Sequence, residues 1–68
     1  MSNMKMLRKE HGMTQAELAE RSGVSIRMIQ YYEQGRADIN KAEALTVYRL
    51  ADALNNSMEY LLELNEAL

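Results

Sequence analysis

In this 68-residue sequence, residues 22–35 read "SGVSIRMIQYYEQG" and predict a turn followed by a helix. Gly23 suits the turn, because glycine adopts positive φ angles without steric cost. Ser25 is a favoured N-cap, and the helix that it begins should end near Gln34, since Gly35 is a typical residue just after a helix. This stretch therefore predicts a short glycine turn followed by a helix of about residues 25–34.

The predicted helix 25–34 has two different sides on a wheel of 100° per residue. The side expected to face the protein interior carries Ser25, Ile29, Tyr32 and Glu33. The opposite side carries hydrogen-bonding groups, on Arg27, Gln30, Tyr31 and Gln34, with Ile26 and Met28 on the flanks. A core helix does not need that second side, whereas a helix that reads the major groove of DNA does.

Composition limits the classes of function. The chain has no cysteine, no proline and one histidine, so we expect no disulfide, no metal site and no cofactor. A single histidine without an acidic partner at suitable spacing makes an enzyme a poor interpretation. No apolar run is long enough for a membrane span, and no signal peptide is evident. We therefore expect one cytoplasmic, all-α domain over residues 1–68.

Charge is distributed unevenly along the chain. The total is −2, but residues 1–42 contain seven basic and five acidic residues, a net charge of +2. Residues 43–68 contain one basic and five acidic residues, a net charge of −4. Such asymmetry indicates either a partner-facing side and a solvated side, or ordinary surface charge scattered by chance.

Start and stop signals divide the sequence into five predicted helices. The first covers about residues 3–11, and the second covers residues 15–21 behind the capping box "TQAE" at 14–17. The third is the helix of residues 25–34. The fourth should follow a second capping box, "NKAE" at 40–43, and run to residue 53 or 54, with Asn55 accepting the left-handed conformation. Ser57 should cap a short fifth helix.

Residues 7–62 resemble the Xre/Cro, or lambda-repressor-like, helix-turn-helix family. The resemblance rests on "LRKEHGMTQAELAERSGVSIRMIQYYEQGRADI" and "TVYRLADALNNSMEYLL". Within these stretches Ala19 matches the small residue between the two motif helices and Gly23 the turn glycine. Three further matches, Val24, Ile29 and Tyr32, occupy the apolar sites that set the angle between those helices. The resemblance implies a compact five-helix fold in which the second and third helices form the helix-turn-helix.

The resemblance also implies a role for particular residues. Base contacts fall on the outward side of the third helix, at Ile26, Arg27, Gln30 and Tyr31. Phosphate contacts fall on Gln15, Ser25, Arg36, Asn40 and Lys41. Arg8 and Glu33 match a structural ion pair between the first and third helices. The residues alone leave another interpretation open for each of three positions. Ile26 is then an ordinary exposed apolar residue and Tyr31 is a ring on the surface. Arg27 is then the ion-pair partner of a neighbouring carboxylate.

The expected function is a sequence-specific, double-stranded DNA-binding transcriptional regulator, a repressor, that reads the major groove with the third helix. Because one helix reads few base pairs, a homodimer is expected at least on DNA, with Leu61, Leu64 and Leu68 either at its contact or in the monomer core. An alternative is an antitoxin-like or adaptor protein that binds a basic partner through its acidic carboxy-terminal helices. A third possibility, the DNA-binding part of a larger regulator, is less favoured. No membrane or small-molecule partner is expected.

Overall fold

The computed structural model describes residues 2–63, and in this part of the chain all regular structure is helical. Five α-helices follow one another: α1 (Asn3–Glu10), α2 (Gln15–Ser22), α3 (Ile26–Gln34), α4 (Ala44–Ala53) and α5 (Met58–Leu61). A one-turn 3-10 helix, Ile39–Lys41, lies between α3 and α4. The predicted five-helix, all-α architecture is confirmed. Among residues 2–63, no helix is long and apolar enough to cross a membrane.

The hydrophobic core lies where one apolar side of each helix meets the others. α2 packs against α3 and α4, and α5 packs against α4 and α1. The buried apolar residues are Met4, Leu7, Met13, Leu18, Ile29, Tyr32, Ile39, Val47, Leu50, Ala51, Leu54 and Leu61. Burial of one leucine, isoleucine, valine or methionine side chain stabilises the fold by about 1.5–3 kcal/mol relative to its exposure to water.

Leu61 is fully buried and belongs to the core of the monomer. It is therefore not available for the dimer contact that the sequence left open. The other two leucines considered for that contact, Leu64 and Leu68, lie outside the described residues.

Hydroxyl side chains cap α2, α3 and α5 as the sequence predicts. The Thr14 Oγ1 accepts the backbone N–H of Glu17 at 3.1 Å, and the Glu17 carboxylate accepts the N–H of Thr14 at 2.9 Å, which confirms the first capping box. The Ser25 Oγ accepts the N–H of Met28 at 3.2 Å and starts α3. Ser57 caps α5 in the same way. Each such cap contributes about 1 kcal/mol.

The second predicted capping box is wrong. α4 begins at Ala44, Glu43 is its N-cap residue, and no side chain caps it. Asn40 instead lies in the 3-10 turn, where its side chain hydrogen-bonds the backbone of Glu63. The physical reason is Ile39, which is buried and draws this segment into the core, so that the chain needs an extra turn before α4 can start.

Three helices end with the same hydrogen-bonded reversal, the Schellman motif. One residue shortly after each of α1, α3 and α4 has a positive φ and reverses the chain. The φ values are 66° at Gly12, 76° at Gly35 and 54° at Asn55. The N–H of the next residue then bonds the carbonyl five residues before it. The predicted left-handed conformation of Asn55 is confirmed.

The turn between α2 and α3 sets how these two helices meet. Gly23 has a φ of 75°, and its N–H bonds the carbonyl of Ala19 at 2.9 Å. The buried Ser22 accepts the N–H of Val24 at 3.1 Å, so the turn has its own internal hydrogen bond. α3 therefore leaves the turn at a fixed angle, with one side against the core and the other toward solvent.

Candidate nucleic-acid interface

The inward side of α3 fastens it to the rest of the fold. Ile29 is fully buried and Tyr32 is 9% exposed, and both belong to the hydrophobic core. Val24 and Met28 pack against the same core while remaining partly accessible. This side agrees with the helical wheel, except that Ser25 is exposed and acts as the cap.

Arg8 and Glu33 form an ion pair that joins α1 to α3. The Arg8 Nε donates to one Glu33 carboxylate oxygen at 2.7 Å, and Nη2 donates to the other at 3.0 Å. The Nη1 of the same guanidinium donates to the carbonyl of Met13 at 2.7 Å. The side chains are only 10% and 2% exposed, so the pair lies largely out of water. Two parallel hydrogen bonds of this kind fix direction as well as distance.

The environment shifts both pKa values of this pair. Burial raises the pKa of Glu33. The hydrogen bonds from Arg8 and Gln15 and the nearby positive charges lower it by more than burial raises it, so the pKa lies below its ordinary value. The hydrogen bond to Glu33 raises the pKa of Arg8. Both groups are therefore charged near neutral pH, and their pairing stabilises the folded state.

Gln15 extends the ion pair to the outward side of α3. Its Nε2 donates to Glu33 at 3.1 Å, and its Oε1 accepts from the Nε2 of Gln30 at 3.4 Å. Because a carboxylate can only accept, Gln15 must turn its N–H toward Glu33 and its oxygen toward Gln30. Gln30 must then give one N–H to Gln15, which leaves it with an acceptor oxygen and one further N–H.

The outward side of α3 is accessible to a partner. Arg27 is exposed, and Ile26 is 41% exposed. Gln30 and Tyr31 are half-buried, and at 100° per residue they fall on the same side of the helix as Ile26 and Arg27. The four residues expected to contact bases thus share one surface, defined by these residues and called the reading surface below.

The five residues expected to contact phosphate differ in their surroundings. Arg36 and Lys41 are exposed, as is Ser25 at the start of α3. Gln15 lies at the start of α2 and has one N–H beyond the bond to Glu33. Asn40 is also exposed, but its amide nitrogen and oxygen both bond the backbone of Glu63, at 2.8 Å each.

An aromatic contact joins the reading surface to the segment after α3. The guanidinium carbon of Arg36 lies over the ring of Tyr31, 5.9 Å from the ring centroid. The N–H groups of Arg36 and Ala37 both donate to the carbonyl of Tyr31, at 2.8 and 3.2 Å. Sequence reasoning assigned Tyr31 and Arg36 separate roles and missed their contact.

Other contacts missing from the sequence interpretation also connect distant parts of the chain. The Asn3 amide donates to the carbonyls of Tyr60 and Leu62, at 3.2 Å each, and so ties α1 to the end of α5. The chain of hydrogen bonds from Glu33 through Gln15 to Gln30 was also missed. No sequence pattern pointed to it, since Gln15 lies on a different helix, fifteen positions before Gln30. Among residues 2–63, no cluster of three or more metal-ligating side chains is found.

Comparison with known proteins gives a consistent assignment. A sequence model of the family described as helix-turn-helix matches residues 4–61. The chain is also similar to "Uncharacterized HTH-type transcriptional regulator y4dJ" of Sinorhizobium fredii. The two are 41% identical over 56 residues, which cover 82% of this chain and 69% of that protein. No solved structure matches the chain at a significant level. The family match extends from the first turn of α1 to the end of α5.

Proposed function

The chain belongs to the helix-turn-helix family of DNA-binding transcriptional regulators, and from this premise we propose that it reads double-stranded DNA by placing α3 in the major groove. The observation that carries the proposal is the division of α3 into a fastened side and an accessible side. Ile29, Tyr32 and Glu33 hold the helix against the rest of the fold, while Arg27 is exposed and Gln30 is half-buried with one hydrogen bond to Gln15. The major groove accepts an α-helix with such a polar side.

The proposed base contacts are Ile26, Arg27, Gln30 and Tyr31. Arg27 has donors for guanine O6 and N7, and Ile26 can meet a thymine methyl group. After its bond to Gln15, Gln30 keeps one acceptor and one donor, the pattern that matches adenine N6 and N7 and does not match guanine. The hydrogen bonds from Glu33 through Gln15 therefore favour adenine opposite Gln30.

The proposed phosphate contacts are Gln15, Ser25, Arg36, Asn40 and Lys41. The N-terminal turns of α2 and α3 add backbone N–H groups, which attract phosphate. Asn40 reaches a phosphate through its second amide N–H, or after it releases Glu63. The excess of acidic residues lies in residues 43–68, so the total charge of −2 does not describe the surface near α3.

We further propose that residues 1–68 act as one domain, that the protein binds DNA as a homodimer, and that it represses transcription. Two protomers on half-sites about one helical turn apart would double the number of base pairs read. A protein bound over a promoter obstructs transcription sterically, which is the basis of the proposed repression.

Selection from random duplex DNA at low salt tests the proposal. We expect a preferred site with two symmetric halves, and affinity that falls steeply as salt rises because phosphate contacts release counterions. The Arg27→Ala variant tests the base contact and should lose discrimination at one position of each half-site. Absence of binding to any duplex at low salt would contradict the proposal, and a preferred site without symmetry would contradict the homodimer.

A second candidate function is an antitoxin-like or adaptor protein, and exposed apolar residues on the acidic half favour it. Leu45 and Tyr48, one turn apart on α4, are 55% and 54% exposed, and Tyr60 on α5 is 50% exposed. Together with the net charge of −4 over residues 43–68, they suit a basic protein partner. Binding to a basic protein that is lost in Leu45→Ala and Tyr48→Ala, without any DNA binding, would favour this function.

A further inference from the structure

The way α3 ends brings the side chain of Arg36 next to that of Tyr31. Gly35 has a φ of 76°, its N–H donates to the carbonyl of Tyr32 at 3.3 Å, and the N–H of Arg36 donates to the carbonyl of Tyr31 at 2.8 Å. These two bonds define the Schellman motif, in which the residue after the glycine folds back over the last turn of the helix. Tyr31 and Arg36 are therefore neighbours because the hydrogen bond between their backbone groups holds them close together.

The same motif at the end of α1 shows what usually occupies this position. There the N–H of Met13 bonds the carbonyl of Arg8 at 3.0 Å, and the Met13 side chain is buried in the core. An apolar contact of this kind commonly accompanies the motif. At the end of α3 the corresponding residue is Arg36, which is exposed and places a cation over an aromatic ring instead.

The guanidinium of Arg36 lies over the ring of Tyr31. Its carbon lies 5.9 Å from the ring centroid, within the range in which a cation is attracted by the ring electrons. Among residues 2–63, the only ion pair is that of Arg8 with Glu33, so no carboxylate in this part of the chain holds Arg36. The flat guanidinium can stack on the ring and still present its edge N–H groups to an anion.

We propose that Tyr31 is a positioning residue for Arg36: its ring holds the guanidinium at the end of α3, ready to bind a DNA phosphate beside the groove that α3 enters. This inference rests on the proposed function and deepens it. A long arginine side chain loses conformational freedom when it binds, and a ring that restrains it beforehand reduces that loss. Tyr31 then contributes to DNA affinity through Arg36, in addition to any contact of its own edge with a base.

A double-mutant cycle on the selected duplex tests the inference. Tyr31→Phe keeps the ring and Tyr31→Leu removes it, each in the parent protein and in Arg36→Gln. We expect Tyr31→Leu to weaken binding about two- to fivefold when Arg36 is present and to have little further effect in Arg36→Gln. Tyr31→Phe should keep the coupling to Arg36, so that any loss from its missing hydroxyl is the same with and without Arg36. Arg36→Gln should also reduce the salt dependence by about one phosphate contact, and Tyr31→Leu should reduce it in the same direction.

Arg49→Gln provides the matched control for Arg36→Gln, because Arg49 is exposed on α4 and outside the surfaces proposed for DNA and for a protein partner. It should not change the salt dependence. Thermal unfolding of each variant separates a loss of folding from a loss of positioning. In the unbound parent protein, NMR should show the side-chain protons of Arg36 shifted by the ring current of Tyr31, a shift that Tyr31→Phe keeps.

Two results would overturn the inference while leaving the proposed function intact. One is an equal loss of affinity for Tyr31→Leu with and without Arg36, which would mean that Tyr31 acts on DNA by itself. The other is the absence of a ring-current shift at Arg36 in the folded parent, which needs no variant to fold. If the parent protein binds no duplex at all, the proposed function fails instead, and the ring-current measurement still decides the contact.

Discussion

The two sides of α3 differ in how their side chains are held. On the inward side, Ile29 is packed in the core and Glu33 is bonded to Arg8 and Gln15. On the outward side, Arg27 is exposed and forms no ion pair within residues 2–63, and Gln30 is held by one hydrogen bond of 3.4 Å. One nine-residue helix thus has a side that stabilises the fold and a side that is left accessible, because the two sides meet different surroundings.

The largest expected effect is on the inward side. Ile29→Ala removes a fully buried side chain and should destabilise the protein by about 3 kcal/mol or more, because the cavity adds to the lost burial. Ile26→Ala is the matched control on the outward side and should cost less than about 1 kcal/mol, since Ile26 is exposed. Urea unfolding measures both. Equal losses for the two variants would show that the sides do not differ in packing.

Breaking the ion pair should have the next largest effect. Arg8→Ala leaves the Glu33 carboxylate buried without its main partner and should destabilise the fold by about 3 kcal/mol. Lys9→Ala removes a neighbouring, exposed positive charge and should be nearly neutral. Replacing both members of the pair, as Arg8→Met with Glu33→Leu, should be less harmful than either single removal. A double variant that is weaker than both singles would argue against an uncompensated charge.

Changes on the outward side should affect DNA binding and leave stability intact. Arg27→Ala should weaken binding to the selected site by about 1–3 kcal/mol and relax the preference at one base pair. Its unfolding midpoint should stay close to that of the parent, since Arg27 is exposed. Arg21→Ala, an exposed arginine at the end of α2, is the control. If Arg27→Ala weakens all sequences equally, Arg27 contacts phosphate.

The smallest expected effect is the pH dependence of the inward side. The pKa of Glu33 is lowered in the folded state, so its stabilising contribution is complete above its ordinary pKa of 4.5 and is lost as the pH falls through the folded value. Stability should therefore decrease as the pH falls below about 4.5. Glu33→Gln should show a shallower decrease. The slope that remains comes in part from Glu17, whose pKa is lowered by its hydrogen bonds with Thr14. Parallel curves for the parent and Glu33→Gln would contradict this assignment.

Local signals predicted most of the helices correctly. Thr14, Ser25 and Ser57 mark helix starts, and Asn55 and the glycines mark helix ends, because each acts through hydrogen bonds to residues only a few positions away. The failed prediction was also local in form. "NKAE" at 40–43 has the capping pattern, but burial of Ile39 and the bonds from Asn40 to Glu63 overrode it.

The candidate site was predicted in part. Helical periodicity is sufficient to tell which residues of α3 share a side, so Arg27, Gln30 and Tyr31 could be grouped from sequence. What each of them is bonded to could not be inferred. Gln15 is fifteen positions from Gln30, and nothing in a sequence pattern states that two amides at that separation meet.

The five helices, the turn at Gly23 and the two sides of α3 follow from the sequence, because they depend on backbone preferences and periodic burial. Packing was needed to establish that Glu33 orients Gln15 and Gln30, that Asn40 bonds Glu63, and where α4 begins. The difference is one of range along the chain. A cap or a turn is completed within a few residues, whereas a hydrogen bond between helices exists only after packing has brought its two partners together.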